Sequence, residues 1–206
     1  MYPDGLNHGR GSGEPDRGQF ERREEVLFPD AAAALYHREM LDTIGLFDEH
    51  FFAYGDAADL GLRGRLTGWN CVYVPTAIVY HVHSATAGEF SPLKAFLIER
   101  NRIWVMVKTF PLSRLLVSPF FTALRLAFHA YGSLFMVGSS GQYAAECSRG
   151  QLVLMMLKAY WSGLKSFPEM WRSRRKIRQF ARLTDRDFAE LIRRHRISLR
   201  ALTLGT

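Results

Sequence analysis

Cysteine is scarce in this 206-residue sequence, in which only Cys71 and Cys147 occur. Two cysteines do not make a disulfide framework, and Cys71 lies in an apolar run, where a small buried hydrophobic side chain is expected. The composition therefore favours a reducing compartment. Residues 1–5 have neither the basic nor the apolar region of a secretory leader, so no signal peptide is predicted there.

The sequence also lacks the short motifs that mark several common enzyme classes. No cysteine and histidine residues have the spacing of a zinc site, and no Gly-x-Ser-x-Gly elbow supports a hydrolase. The glycines within residues 1–25 match neither the dinucleotide fingerprint nor a Walker loop, so they indicate no nucleotide site. That stretch is predicted to be a flexible tail or a loop whose backbone approaches a ligand closely.

Formal charge is almost absent between residues 115 and 145, where Arg125 is the only charged side chain. The stretch is longer than the roughly 20 apolar residues that span a membrane. It is interrupted, however, by Pro119, His129 and the polar residues 138–142. We therefore predict a membrane-associated helix that lies in the interface or is re-entrant. A buried pair of helices in a soluble protein is the alternative.

Positive charge is concentrated near the end of the chain. The net charge is +7, and residues 169–196 contain ten lysines and arginines against four acidic residues. Trp161 and Trp171 precede this basic run, which is typical of a membrane-interface belt facing anionic lipid. A solvated helix face is the alternative. Binding to nucleic acid is not expected, because the run has no recognised nucleic-acid-binding module.

Hydrophobic residues make up 48% of the sequence, enough for a substantial core. Ser91 followed by Pro92 marks a helix start, and Thr184 with Asp187 resembles a capping box for the last helix. Periodicity and stop signals predict helices over residues 38–44, 56–68, 92–109, 152–167 and 184–195, and strands over residues 26–28, 70–74 and 77–81.

Two carboxylates stand three residues apart at one of these helix starts. Asp56 and Asp59 would share a face of the helix and lie near the positive end of its dipole. Two interpretations are open: Asp56 caps the start of the helix, or the two acids form a catalytic carboxylate cluster. His81 and His83 would face the same side of a continuing strand, although a histidine near a strand end is more often structural.

A series of short sequence words, in order, resembles the C-terminal half of a family 2 glycosyltransferase catalytic domain, of the bacterial rhamnosyltransferase-like kind. The resemblance covers residues 4 to about 111. The words are Asp-Arg-Gly-Gln-Phe at 16–20, Ala-Ala-Ala-Leu-Tyr at 32–36, Gly-Leu-Phe-Asp-Glu at 45–49, Phe-Phe-Ala-Tyr-Gly-Asp at 51–56, Asp-Leu-Gly-Leu-Arg at 59–63, Gly-Trp at 68–69, Tyr-Val-Pro at 73–75, Val-Tyr-His at 79–81 and Arg-Asn-Arg at 100–102, followed by Lys108 and Pro111.

The resemblance implies an α/β fold class, the C-terminal, acceptor-side half of an inverting GT-A domain over residues 1–111. A mostly helical, basic and membrane-proximal extension would follow over residues 112–206. Such enzymes use a nucleotide-sugar donor, a glycan or lipid-linked acceptor and a divalent cation, Mg or Mn. The implied location is the cytoplasmic face of the inner membrane. The nucleotide-binding half and its metal motif are missing from the sequence, so a truncated form is expected.

The resemblance also assigns roles to individual residues. Asp56 and Asp59 are the catalytic candidates: Asp56 matches the first acid of the family's pair, whose usual part is to orient and cap, and Asp59 matches a later structural acid. Ala57 occupies the position expected to carry the general base. His81 matches a metal or diphosphate contact. The residues expected at the substrate are Arg17, Ala31, Trp69, Arg100 and Asn101. Because Ala57 has no proton-accepting group, the chain is expected to be inactive by itself; the alternative is a non-catalytic membrane-associated interaction protein that retains part of the GT-A fold.

Overall fold

The computed structural model describes residues 1–82, Gly88 and residues 90–204, with the backbone alone for Leu204. Its helices are α1 (Arg38–Ile44), α2 (Asp56–Leu66), α3 (Pro92–Thr109), α4 (Leu112–Phe135), α5 (Gly138–Glu146), α6 (Arg149–Lys165), α7 (Phe167–Gln179), α8 (Asp185–Arg194) and α9 (Leu199–Leu204). Its strands are β1 (Glu24–Val26) and β2 (Cys71–Tyr73), and single 3₁₀ turns occupy Ala31–Ala33 and Glu49–Phe51.

The described residues are mostly helical, and the β part of the predicted α/β fold class is limited to one small sheet. Strands β1 and β2 pair antiparallel, with Glu24 opposite Tyr73 and Val26 opposite Cys71. The prediction of a strand over residues 26–28 was two residues late, because the pairing ends at Val26. The prediction of a strand over residues 77–81 is wrong, because those residues have no regular structure. They follow a turn in which Ala77 N donates to Val74 O, and they pair with no neighbouring strand in the described chain.

The predicted helix starts are confirmed by their hydrogen bonds. The Ser91 hydroxyl accepts from Lys94 N, and Pro92 is the first residue of α3, where its missing N–H loses no bond. The Thr184 hydroxyl accepts from Asp187 N at 3.1 Å and donates to the Asp187 carboxylate at 2.6 Å. These local signals therefore fix the beginnings of α3 and α8.

One hydrophobic core joins both ends of the chain. Phe51, Leu62 and Trp104 contribute to it from the earlier elements, and Met170 and Phe188 close it from α7 and α8. The boundary predicted near residue 111 falls at Pro111, between α3 and α4. This core contains residues from both sides of that boundary. The division into two domains remains a prediction.

The first five residues are buried, in contrast to the flexible tail or ligand loop predicted over residues 1–25. The Met1 amine donates to His195 O at 2.6 Å, and Ile197 N donates to Met1 O at 3.2 Å. Burial lowers the pKa of this amine to about 6. From Asn7 to Gln19 the chain is exposed except at Gly11, and turns there have positive φ at Gly11 and Gly13.

The length and hydropathy needed to cross a membrane occur in no single helix of the described residues. Helices α4 and α5 together have them, but their axes meet at 60°. The two predicted alternatives, a membrane-associated helix and a buried pair of helices, therefore have to be distinguished by which faces of α4 and α5 are polar and which are apolar.

Candidate active site

The loop that leads into α2 has an unusual backbone. Phe52 and Tyr54 have φ values of 65° and 62°, which side chains other than glycine adopt rarely. Gly55 follows with a φ of 83° and is the N-cap of α2. Such a conformation needs support from outside the loop, and α3 provides it.

Asn101 is the residue of α3 that holds this loop. Its side-chain Nδ2 lies within hydrogen-bond distance of three carbonyl oxygens, at 3.0 Å from Phe51, 2.8 Å from Ala53 and 2.6 Å from Tyr54. The side chain is fully buried. A Cβ on Gly55 would lie 3.2 Å from the Asn101 Cβ, so the glycine also lets α3 approach closely.

Arg100 supports the same loop from the neighbouring position. Its Nη2 donates to Phe51 O at 3.1 Å, and its Nε donates to Asn101 Oδ1 at 2.8 Å. The guanidinium also lies 4.1 Å from the centre of the Trp104 ring, and burial lowers its pKa. Arg100 and Asn101 were predicted to contact the substrate; here their polar groups contact the loop, and a substrate contact remains a prediction.

Asp56 is the first residue of α2, not its cap. The predicted capping role is wrong, because Gly55 takes the N-cap position and its left-handed conformation turns the chain into the helix. The Asp56 side chain is half-buried, and no residue that the structure describes donates a hydrogen bond to it or forms an ion pair with it. A carboxylate at this helix start can therefore accept a proton or a hydrogen bond from a bound molecule.

Tyr36 lies close enough to Asp56 to be influenced by its charge. Burial is the main cause that raises the pKa of Tyr36 to about 12, and electrostatic interactions with Cys71, Asp56 and Asp30 contribute to the same shift. Its hydroxyl is buried without a hydrogen-bond partner among the described residues. The sequence contained Tyr36 within a family word but gave no reason to select it. Because its hydroxyl is neutral and unpaired and its pKa is influenced by Asp56, Tyr36 is a further candidate for substrate contact.

Asp59 has a different environment from Asp56, although the two are only three residues apart. It is fully buried; its Oδ2 accepts from Arg63 Nε at 2.9 Å, and its Oδ1 lies 2.8 Å from Lys108 Nζ. Arg63 also donates to Ile44 O at 2.6 Å and thereby binds the end of α1. Proton transfer through Asp59 would have to disturb this buried charge network, so its geometry favours a structural role and its catalytic role remains a prediction.

Lys108 extends the network to the turn before the loop. Its Nζ donates to Asp48 Oδ2 at 2.7 Å. Burial would raise the pKa of Asp48, but the hydrogen bond and charge of Lys108, with a hydrogen bond from His50, lower it to about 2. His50 Nε2 in turn lies 2.9 Å from a Glu169 carboxylate oxygen. A chain of charged groups therefore connects α2 with α7.

The other predicted site residues are not gathered around Asp56. Trp69 follows the opposite end of α2, roughly 15 Å along the helix by its rise per residue, and packs against His37 with ring centres 4.9 Å apart. It borders a cavity of about 650 Å³ that Glu39 and Arg182 also line. Arg17 is exposed in a turn, and Ala31 is exposed at the start of the 3₁₀ turn Ala31–Ala33. Their contacts with a substrate remain predictions.

The described residues do not fit the divalent cation implied by the resemblance. No three His, Cys, Asp or Glu side chains in the described part of the chain lie where they could hold a metal ion together. His81 is exposed, and its partner in the predicted pair, His83, lies outside the described residues. The role of His81 as a metal or diphosphate contact remains a prediction.

Comparison with known proteins finds a similarity over the segment that contains α1, α2 and most of α3. Residues 14–106 match the family model described as "Glycosyltransferase like family 2". The N-acetylglucosaminyl-diphospho-decaprenol L-rhamnosyltransferase of Mycobacterium tuberculosis, strain CDC 1551 / Oshkosh, is 38% identical over 79 residues, and so is the protein of that name from strain ATCC 25618 / H37Rv. Each match covers 34% of this chain and 26% of the relative, about a quarter of its length. No solved structure matches the chain.

Proposed function

We propose that this chain, whose residues 14–106 match the model described as "Glycosyltransferase like family 2", supplies the acceptor side of a sugar-transfer site. The donor would be a nucleotide-sugar, and the sugar would be transferred with inversion. The name of the two mycobacterial relatives suggests the acceptor class, a saccharide linked through diphosphate to a polyprenol or a related cell-surface glycan.

One observation carries this proposal: the Asn101-supported loop ends at a carboxylate that has no partner among the described residues. Asn101 fixes the carbonyls of Phe51, Ala53 and Tyr54, and Asp56 follows directly at the start of α2. A hydroxyl bound there would meet the Asp56 carboxylate and the positive end of the helix dipole. Asp56 would orient the acceptor hydroxyl by accepting its hydrogen bond, with the two oxygen atoms about 3 Å apart.

The residue after Asp56 limits what these 206 residues do alone. Ala57 has no group that accepts a proton, and Asp59 is held by Arg63 and Lys108. We therefore expect no sugar transfer by the isolated chain. A separate or joined donor-side partner would have to bind the nucleotide-sugar.

A non-catalytic membrane-associated interaction protein is the second candidate function. Ala57 favours it, because the matched family position for the base carries no chemistry here. In this case the Asn101-supported loop would serve only to stabilise the fold. The two functions differ in whether restoring a carboxylate at position 57 restores transfer.

The proposed location is the cytoplasmic face of the inner membrane. Its support is the low cysteine content, which favours a reducing compartment, and the polyprenol named in the relatives' description. The chain would be attached peripherally to the bilayer that carries its acceptor.

The test joins the donor-side half of a relative to this chain and measures transfer from a nucleotide-sugar to a water-soluble acceptor analogue. The isolated 206-residue chain should give no more product than a reaction without enzyme. In the chimera, Ala57→Asp should raise the rate about tenfold or more, as expected for a positioned general base. Folded chimeras that transfer no sugar with either residue would refute the enzymatic proposal and favour the second candidate.

A further inference from the structure

Helix α4 carries its polar side inward and its apolar side outward. Ser118, Thr122 and Arg125 are buried at spacings that place them on one face. On the other face Leu116 is 81% exposed and Phe120 is 68% exposed. The same outward strip continues along the helix through Leu124, Phe128, Tyr131 and Phe135. A helix on the surface of a water-soluble protein normally has the opposite arrangement.

The inward side is fixed by a buried cluster of four charges: Asp4, Glu99, Arg102 and Arg125. Arg125 Nε donates to Asp4 Oδ2 at 2.7 Å, and Arg125 Nη1 lies 2.7 Å from Glu99 Oε1. Arg102 Nη2 donates to Glu99 Oε2 at 3.2 Å. The two acids and two arginines balance in charge. Burial would raise the pKa of Glu99, but the neighbouring Arg102 and Arg125 lower it to about 2.

This cluster prevents α4 from rotating its apolar side into the protein. Rotation would separate Arg125 from Asp4 and Glu99 and leave buried charges without partners, which is strongly unfavourable. The same argument opposes insertion of α4 across a bilayer, because Asp4 and Glu99 belong to other segments and would lose Arg125. The apolar strip therefore stays at the surface, where it extends from Leu116 to Phe135 over roughly 30 Å of the helix. A continuous strip of this length indicates an interaction surface.

The charges around the strip identify its partner. Residues 112–149 contain three arginines and one acid, the exposed Glu146. Arg114 lies in the first turn of α4, and Arg149 Nη2 donates to Ser133 O at 3.4 Å near the last turn. Both ends of the strip therefore carry a cation, with aromatic side chains between them. This arrangement suits the anionic headgroups and acyl boundary of a phospholipid bilayer.

A second copy of the chain fits the strip less well. Antiparallel packing of α4 on α4 about a two-fold axis would bring Arg114 of one copy near Arg149 of the other. Like charges facing each other across an interface oppose association. Anionic lipid meets both cations favourably, so we take lipid as the occupant.

We propose that α4 lies in the plane of an anionic membrane, with its strip of Leu116, Phe120, Leu124, Phe128, Tyr131 and Phe135 in the boundary between headgroups and acyl chains. The buried cluster of Asp4, Glu99, Arg102 and Arg125 holds the polar face of α4 on the protein body. The inference rests on the proposed function for its setting, a lipid-linked acceptor, and on the two faces of α4 for its physical argument.

The binding test compares the full chain with Leu116→Glu/Phe120→Glu in co-sedimentation with vesicles. Both replaced side chains are mostly exposed, so the variant should keep its circular dichroism spectrum. Binding to phosphatidylglycerol-containing vesicles should weaken by about tenfold or more, because two apolar contacts are replaced by charges of the lipid's sign. The matched control Leu35→Glu/Ile78→Glu adds the same charges at positions that are 100% and 73% exposed and should bind as the unmodified chain does.

Two results would overturn the proposal. One is unchanged vesicle binding by Leu116→Glu/Phe120→Glu. The other is a dimer, in analytical ultracentrifugation, that this variant converts to a monomer while vesicle binding is retained, which would assign the strip to a second copy. Pure phosphatidylcholine vesicles should bind the unmodified chain more weakly than phosphatidylglycerol-containing ones.

The in-plane orientation is tested with cysteines at the two ends of the α4–α5 pair. In a Cys71→Ser/Cys147→Ser background, Ser113→Cys and Gln142→Cys should both react with a membrane-impermeant maleimide added outside sealed vesicles. Protection of one end would show that the pair crosses the bilayer and would overturn the proposal. Because the transfer assay above uses a water-soluble acceptor, loss of vesicle binding and loss of transfer report separately on the two proposals.

Discussion

The Asn101 side chain lies 2.6 Å from the carbonyl oxygen of Tyr54, a residue 47 positions earlier whose φ is positive. Helix α3 thus determines the conformation of the loop that precedes Asp56. This one amide links α3, the longest helix that overlaps the matched segment, to the loop with positive φ at Phe52 and Tyr54. The stability of the loop should therefore depend on Asn101 more than on residues of the loop itself.

Replacing Asn101 by alanine should lower the free energy of unfolding by roughly 2–4 kcal/mol, because several buried carbonyls lose their donor. Urea denaturation followed by circular dichroism measures the change. The exposed Asn7→Ala is the control and should change stability by less than about 0.5 kcal/mol. Equal stability of the two variants would show that the loop does not need the α3 amide.

Asp59 and Lys108 should behave as a coupled buried pair. Asp59→Asn leaves Lys108 and Arg63 with one carboxylate fewer and should destabilise the fold by about 3–5 kcal/mol. In a double-mutant cycle with Lys108→Met, the two effects should be non-additive by about 1–3 kcal/mol. Additive effects would contradict the ion pair in which Lys108 Nζ and Asp59 Oδ1 lie 2.8 Å apart.

His129 should make stability depend on pH. It faces Arg125, Glu99 and Asp4, its Nδ1 lies 2.6 Å from the Ser140 hydroxyl, and burial and Arg125 lower its pKa to about 4. Between pH 4 and 6.5 the unfolded chain binds the proton more strongly, so the free energy of unfolding rises with pH across this window, by roughly 3 kcal/mol for this group.

Denaturation at several pH values measures this slope. His129→Gln should remove most of the rise between pH 4 and 6.5, while the exposed His8→Gln should retain it. Asp48 adds a separate rise at lower pH: its pKa is lowered to about 2, so its contribution is present above its ordinary pKa and is lost as pH falls toward 2. An unchanged slope in His129→Gln would refute the assignment to that imidazole.

Local features of the fold were predictable because the residues responsible are neighbours in sequence. Ser91 with Pro92 and Thr184 with Asp187 determine helix starts within one turn, and both predictions were confirmed. The family words also indicated the family whose model residues 14–106 match. The strand predicted over residues 77–81 failed because its apolar residues favour a strand only if a partner strand is present.

The candidate site was harder to predict, because its contacts join distant positions. Asp56 and Asp59 look equivalent in sequence, yet Asp59 is paired by Lys108 from α3, and nothing local reveals that pairing. The capping prediction for Asp56 failed because a positive φ at Gly55 moved the N-cap by one residue. Asn101 and Arg100 were predicted to contact the substrate. Their polar contacts with the loop could not be predicted, because the loop lies nearly 50 residues earlier in the sequence and only the fold brings it against α3.

Position 57 is where the proposed sugar-transfer site can be tested by a single substitution. The decisive measurement is the rate of sugar transfer by the donor-half chimera with and without Ala57→Asp, using the same nucleotide-sugar and soluble acceptor. If the proposed function is right, the rate should be at least about tenfold higher with the aspartate, and that gain should be lost when Asp56→Asn is added. Equal rates with alanine and aspartate would contradict the proposed function, because position 57 would then play no part in accepting the proton.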